Sequence, residues 1–349
     1  MTHDTTEKKD LKPYISRDTV DRRFSIAPMM DWTTTDYRVF ARTLSTNTLL
    51  YTEMVTTGAL LRGDSPARFL EYDECEHPIA LQLGGADPVA LSKCAKLAEK
   101  YGYDEVNLNV GCPSDRVQNS LIGACLMAHP DKVKDAISAM LDATHIPVTI
   151  KHRIGLDDQE DYSVVRDFVG DIATTGIRTF IVHARNAILA GLSPKQNREI
   201  PPLKYDYVYK LKQDFPDLEI ILNGGIKTLA ESQEHLTKID GVMLGREAYH
   251  NPWILSNVDQ VLFGEPAKVM SRFDALDNFM PYVERRLANG ERLMHITRHI
   301  LGLFLGQPGG KAFRRYLSEN GHKADAKIDV LIDAINMVNQ QINKTKETH

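Results

Sequence analysis

The side chains best suited to chemistry fall in a few short segments. Gly111-Cys112-Pro113-Ser114 places a thiol in a turn. A lone cysteine is more often a small buried hydrophobe than a catalyst. Cys94, inside an apolar-periodic run, and Cys125, in Gly123-Ala124-Cys125-Leu126, fit that reading, and Cys75 in a charged loop is given no role. Cys112 differs because its flanking turn would present it. Asn223-Gly224-Gly225 and Gly245-Arg246 suit an anion, because glycines let backbone N–H groups approach closely and arginine adds a forked cation. The other reading of each glycine pair is a tight turn. Lys151 and His183 are two potential cations that could favour developing negative charge, as on a reduced flavin. They also admit structural readings, His183 as a core histidine and Lys151 as the partner of Glu53. Gln82 offers an amide donor and acceptor for the edge of a heterocycle, and Pro28-Met29-Met30 offers apolar surface and backbone groups against a ring.

These residues share a position relative to the elements that must hold them. Eight short apolar, β-branched runs recur: 24–29, 48–54, 78–84, 105–111, 147–151, 179–183, 219–223 and 241–245. Near-continuous apolar runs are typical of strands buried on both faces. Helical segments separate them at 88–101, 130–143, 162–175, 203–214 and 228–238, the first with Asp87 as N-cap and Pro88 at its first position. Strand and helix alternating in this way predict an α/β chain folded as a TIM (β/α)8 barrel. The rival, a doubly wound sheet, would carry a GxGxxG turn after its first strand, and Ala27-Pro28-Met29-Met30 stands there instead. A TIM barrel keeps its active site at the C-terminal ends of its strands. Pro28–Met30, Glu53, Gln82, Asn109–Ser114, Lys151–Arg153, His183–Arg185, Asn223–Gly225 and Gly245-Arg246 follow the eight runs in turn. The glycine segments after runs seven and eight occupy the usual barrel phosphate position.

Beyond Pro252 strand-like runs stop. Helices are predicted near 269–288, 292–305, 311–319 and 325–343, separated by Asn289-Gly290, Gln307-Pro308-Gly309-Gly310 and Asn320-Gly321. The expected organisation is a flexible tail over 1–20, a barrel over 21–258 and a small all-helical C-terminal domain over 259–349. The 349 residues suit two unequal domains, and 42% hydrophobic with 26% charged residues excludes global disorder. No apolar stretch is long enough to span a bilayer, no signal-peptide core opens the chain, and no Cys/His spacing suits zinc, so a cytoplasmic protein without membrane or metal is expected. The net charge of −5 argues against indiscriminate nucleic-acid binding. Yet residues 284–327 hold nine Lys/Arg against four Asp/Glu, with Lys311, Arg314 and Arg315 at one helix start. That local basic face suits RNA, the alternative being an ordinary solvated helix.

Taken together, the strand-end motifs resemble those of the tRNA-dihydrouridine synthases. The resemblance is carried by Ala27-Pro28-Met29-Met30-Asp31, Gln82-Leu83-Gly84-Gly85 and Asn107-Leu108-Asn109-Val110-Gly111-Cys112-Pro113-Ser114. It continues through Lys151-His152-Arg153-Ile154-Gly155, Val182-His183-Ala184-Arg185, Asn223-Gly224-Gly225-Ile226 and Gly245-Arg246, in order over residues 20–255. Asp115-Arg116-Val117-Gln118 and Gly123-Ala124-Cys125-Leu126-Met127 resemble the bacterial A-type branch, which acts at positions 20 and 20a of the tRNA D-loop. The resemblance implies FMN held by Pro28, Met29, Met30, Gln82, Lys151, His183, Asn223, Gly224, Gly225, Gly245 and Arg246, with NADPH as reductant. It implies Cys112 as proton donor and places Asn109 and Arg185 near the target base or its phosphate. A donor thiol must hold its proton, as an ordinary cysteine with a pKa of about 8.5 does at neutral pH. The loop Ser193–Arg198, with Gln196, is positioned to cover the substrate, and a monomer is expected. The rivals are a flavin barrel acting on a free pyrimidine, a non-enzymatic RNA-binding protein, and an isomerase or aldolase using Lys151 as a Schiff base.

Overall fold

In a computed structural model, the residues described are 20–62, 65–114, 121–159 and 161–347. Residues 1–19 of the expected tail and the motif segment 115–118 lie outside them. Eight parallel strands form one sheet: β1 (Phe24–Ile26), β2 (Leu50–Thr56), β3 (Ile79–Gly84), β4 (Glu105–Val110), β5 (Val148–Arg153), β6 (Thr179–His183), β7 (Glu219–Asn223) and β8 (Gly241–Leu244). From β2 to β8 each strand pairs with its sequence neighbour, and β8 returns to β1. The seam between β1 and β2 closes through the parallel bridge Ser25–Leu49, where Ile26 N donates to Leu49 O at 3.0 Å and Leu49 N to Phe24 O at 3.2 Å. The result is the expected TIM barrel.

The strands are buried on both faces, but the two faces differ. Outward residues such as Leu81, Val106, Leu108, Ile150, Phe180, Leu222 and Val242 pack under the helices in the main hydrophobic core. The barrel interior holds a small apolar group including Tyr51, Ala80, Ile181, Ile221 and Met243. It also holds buried Arg22, Gln82, Glu105, Asn107, Thr149 and Thr179. Burying such groups is tolerable only when they hydrogen-bond one another.

Helices follow most strands: α1 (Thr35–Leu44), α2 (Thr57–Arg62), α3 (Ala67–Leu70), α4 (Pro88–Lys100), α5 (Pro130–Ala143), α6 (Tyr162–Ala173), α7 (Tyr205–Asp214), α8 (Leu229–Leu236), α9 (Arg246–His250) and α10 (Val258–Phe263). Asp87 caps α4 by accepting from Ala90 N at 3.0 Å, as its sequence predicts. Helix α1 escapes a reading by apolar periodicity because it buries Asp36 and Arg38. Both are paired, Arg38 with Glu76 and Asp36 with Tyr282 and Arg286.

The C-terminal region is helical, as expected: α11 (Arg272–Ala288), α12 (Leu293–Thr297), α13 (Gly310–Asn320) and α14 (Ile328–Glu347). The single helix expected over 292–305 is corrected. Only Leu293–Thr297 is α-helical, and a series of i→i−3 turns follows to Gly310. Gly302 lies where a Cβ would come 2.1 Å from His250 O, so this stretch presses against the barrel and bends around it. Helix α11 packs on α1 through an edge-to-face contact of Phe40 and Phe279 at 5.3 Å. Phe279, Val283, Phe304 and Phe313 belong to the same continuous core as the barrel helices. Among the described residues no helix is long and apolar enough to cross a membrane, and no group of His, Cys, Asp or Glu has the makings of a metal site.

Candidate active site

The C-terminal mouth of the barrel collects the strand-end residues singled out above. Gln82, Asn109, His183 and Asn223 are buried there, while Cys112, Lys151, Arg185, Gly245 and Arg246 are partly exposed. Pro28 and Met29 line the lip, and Met30 projects from it, 56% exposed. Sulfur of Met29 lies 3.7 Å from where a Cβ on Gly245 would sit, so the β1 and β8 loops touch. Gln196 is exposed on the β6–α7 loop, where it accepts from Ser193 N and Oγ. Lys311, Arg314 and Arg315 are exposed on α13, and Arg315 reaches Glu319 at 4.0 Å.

Cys112 is held from both sides. Its N–H donates to Asn109 Oδ1 at 3.0 Å, and its carbonyl accepts from Ala124 N at 2.8 Å. Gly123 makes the second contact feasible: its φ is +84°, and a Cβ there would lie 2.4 Å from Cys112 O. The thiol is thus presented at the mouth. Cys94 is buried in α4 as expected. Cys125 departs from the expected burial: it is half-exposed, its Sγ–H donating to Ile122 O at 3.4 Å.

Positive charge dominates the mouth on the β5, β6 and β8 side. Lys151 has no carboxylate within ion-pair reach among the described residues; Glu53, the partner considered from sequence, accepts from Asp31 N at 2.6 Å instead. Burial pushes the Lys151 ammonium down to about 7, Arg153 adds to the fall and Cys112 opposes it. Burial also pushes His183 well below its ordinary value, aided by Arg153, Lys151, Arg185 and Arg198. His183 is therefore neutral, which corrects the expectation of two cations at this point. Arg153 is buried and braces two loops, donating to Gly111 O after β4 and to Asn186 O and Asn197 O of the β6–α7 loop at 3.0 to 3.2 Å. Arg246 pairs with Glu199 at 2.5 Å and donates to Arg198 O. The buried Nε atoms of Arg185 and Arg198 have no hydrogen-bond partner among the described residues. Such orphaned cationic donors suit an anion brought by a ligand.

Gly224 and Gly225 have φ of +120° and +75°, and a Cβ on Gly224 would lie 2.8 Å from His183 Cδ2. The turn alone demands glycine here, and Gly224 is packed close against His183, its carbonyl accepting from Tyr205 OH at 2.7 Å.

Sequence reasoning missed the supports. Asn197, fully buried, ties the β6–α7 loop by accepting from Ile188 N at 2.7 Å and donating to Ile188 O at 2.9 Å. Trp32 stacks on Tyr249 at 4.4 Å, and His299 bridges Thr34 and Tyr249. Arg298 donates to Asp31 O at 2.7 Å, so the helical region grips the β1 lip directly. Apart from Arg298, counted only within the basic segment, none of these stands out by type or spacing in one sequence.

With this geometry in hand, comparison with known proteins is informative. The family described as Dihydrouridine synthase (Dus) matches residues 25–339. The chain is 60% identical over 319 residues to the tRNA-dihydrouridine(20/20a) synthase of Pseudomonas aeruginosa, covering 91% of this chain and 96% of that protein. It is 58% identical over 312 residues to the Shewanella oneidensis protein of the same name, covering 89% and 92%. It is 57% identical over 317 residues to that of Escherichia coli K12, covering 90% and 91%. Among solved structures, morphinone reductase in complex with tetrahydroNAD superposes with a TM-score of 0.49 at 14% identity, covering 72% of this chain and 90% of that one. By the span of the family match and the identity sustained across nine-tenths of its length, this chain belongs to the dihydrouridine synthase family of enzymes.

Proposed function

We propose that the protein reduces uridine to 5,6-dihydrouridine in tRNA, at positions 20 and 20a of the D-loop, with FMN bound in the barrel mouth and NADPH as the source of reducing equivalents. The observation that carries this reading is a thiol, Cys112, anchored at both ends of its backbone on the rim of a cation-lined mouth. The mouth fits such a cofactor: Lys151 has no carboxylate partner among the described residues, Gly225 is exposed at the turn after β7, and Gln82 lies buried below them. Pro28, Met29, Met30, Asn223, Gly245 and Arg246 complete the proposed holding set. The chemistry a reduced flavin supplies when bound is hydride donation to C6 of the uracil.

The protein's own part is to orient, to hold charge and to move one proton. Cys112 donates its thiol proton to C5 as general acid, and solvent returns it. Asn109 fixes the loop that carries the thiol, and Lys151 holds positive charge at the mouth. Arg185 lies on the rim for the base or its phosphate, and Gln196 lies on the loop proposed to cover it. A uracil inside folded RNA must leave its stack to reach this depth. We assign residues 259–349 as the tRNA-binding domain, with Lys311, Arg314 and Arg315 as phosphate contacts, and the working unit as a monomer in the cytoplasm. An aldolase-type use of Lys151 would leave Cys112 and the basic helical region without a role.

The test is the visible spectrum of the purified protein, followed by incubation with NADPH and tRNA lacking dihydrouridine. Bound FMN bleached by NADPH, with dihydrouridine appearing at 20 and 20a, is expected. A colourless protein that cannot be reconstituted with FMN would overturn the reading.

A further inference from the structure

A single hydrogen-bonded chain runs through the barrel from its floor to the catalytic loop. At the floor, Glu105 Oε2 accepts from Arg22 Nε at 2.6 Å, and its Oε1 accepts from Tyr51 OH at 2.5 Å. The same Oε1 accepts from Thr149 Oγ1 at 2.5 Å. Thr149 in turn accepts from Asn107 Nδ2 at 2.8 Å. Asn107 Oδ1 accepts from Gln82 Nε2 at 2.8 Å, and Gln82 Oε1 accepts from Asn109 Nδ2 at 2.8 Å. Asn109 Oδ1 then accepts the backbone N–H groups of Gly111 at 3.1 Å and Cys112 at 3.0 Å. Every side chain in this chain is buried.

The two ends fix its direction. An ionised carboxylate only accepts, and a backbone N–H only donates. Between them one hydroxyl and three amides have a single consistent orientation. Turning any one amide over sets donor against donor on one side and acceptor against acceptor on the other. Side-chain torsions of Asn and Gln are otherwise soft about that flip. Register supports the same path, since Gln82 pairs with Asn107, Asn107 with Thr149 and Asn109 with Lys151 across adjacent strands.

We propose that Glu105, at the far end of the barrel from the chemistry, is a positioning residue for Cys112, and that it acts through the directional relay Thr149–Asn107–Gln82–Asn109. The proposal rests on Cys112 as the proton donor. Glu105 grounds the relay as an obligate acceptor, and the relay holds the acceptor oxygen of Asn109 under the Gly111-Cys112 backbone. Glu105→Gln breaks the grounding, because the Arg22 guanidinium only donates and takes the amide oxygen, which turns the new amide N–H groups toward the Tyr51 and Thr149 hydroxyls. Thr149→Val removes the hydroxyl and leaves the Arg22–Glu105–Tyr51 cluster in place. Thr149→Ser restores it.

The experiment uses full-length, flavin-loaded protein in the forms wild type, Glu105→Gln, Thr149→Val and Thr149→Ser. Three readouts are taken: kcat and KM with tRNA lacking dihydrouridine, the rate of flavin reduction by NADPH without RNA, and the pH profile of Cys112 alkylation by iodoacetamide, followed on its peptide by mass spectrometry. For Thr149→Val and Glu105→Gln, kcat falls about tenfold or more, KM stays within about twofold and flavin reduction is unchanged. The Cys112 alkylation profile shifts in both, and Thr149→Ser behaves as wild type. A folded Thr149→Val protein with wild-type kcat and alkylation profile overturns the relay. So does an equal loss in Thr149→Ser, which would reveal a packing role. If Glu105→Gln does not fold, the valine–serine contrast decides alone. Wild-type protein that makes no dihydrouridine would sink the proposed function, while the alkylation contrast would still judge the relay.

Discussion

Lys151 gives the most quantitative handle on the proposed cofactor site. Its ammonium is pushed down to about 7, first by burial and then by Arg153, against a pull from Cys112. In the flavin-free protein it is therefore half charged near pH 7 and almost wholly neutral at pH 9. A lysine depressed in the folded state penalises folding when protonated. That penalty is complete below the folded value and is relieved as pH rises from about 7 toward the unfolded value near 10.5. If Lys151 holds an anionic cofactor, binding must recharge it and take up a proton. With the value in the complex above 9, the dissociation constant rises about tenfold per pH unit between 7.5 and 9. The flavin phosphate has its second pKa near about 6 and is fully ionised throughout this window. The assay is quenching of FMN fluorescence by apoprotein at several pH values and constant ionic strength, with proton uptake measured by calorimetry in two buffers. Lys151→Met should weaken binding about ten- to a hundredfold at pH 7, the worth of one charged hydrogen bond, and abolish the slope. A flat wild-type profile, or the same slope in Lys151→Met, would refute the assignment.

Other perturbations reach different parts of the site. Cys112→Ser should keep the fold, the bound FMN and its bleaching by NADPH, while single-turnover dihydrouridine formation slows about a hundredfold or more, as for loss of a general acid; full activity would remove Cys112 from the mechanism. Gly123→Ala places a Cβ 2.4 Å from Cys112 O at a positive φ. It should cost about 1–3 kcal/mol in urea unfolding and slow the same step. Phe279→Ala, at the α1–α11 contact, should cost about 3–5 kcal/mol and depress tRNA turnover more than flavin reduction. Replacing Lys311, Arg314 or Arg315 by Ala should lower the salt dependence of tRNA binding by about 0.7–0.9 in log–log slope each, and leave bleaching by NADPH untouched. An unchanged slope would place the RNA elsewhere.

The sequence made the barrel legible because its outward strand residues, such as Leu81, Ile150 and Phe180, form compact apolar runs at regular spacing. It made the strand ends legible because position in a barrel restricts where chemistry can sit. It hid α1, whose buried face includes Asp36 and Arg38, since a buried ion pair reads in sequence as surface. It hid the turns after Thr297, because the close approach of Gly302 to His250 is a tertiary fact. The charge of His183 was also out of reach, since it is set by burial first and then by Arg153, Lys151, Arg185 and Arg198, which the fold brings around it. Glu105 and Thr149 look like ordinary strand residues until their neighbours across the sheet are known.

The bond from Arg298 to Asp31 and the anchoring of Asp36 by Tyr282 and Arg286 join the helical region directly to the lip of the mouth. A grip and a thiol fixed to one frame work as a ruler. On the proposed function, the nucleotide that reaches Cys112 would be chosen by its distance along the folded RNA from phosphates proposed to bind on α13, more than by the identity of its neighbours. Two adjacent nucleotides can both lie within the tolerance of such a measurement, which is the physical form that a paired specificity such as 20 and 20a would take.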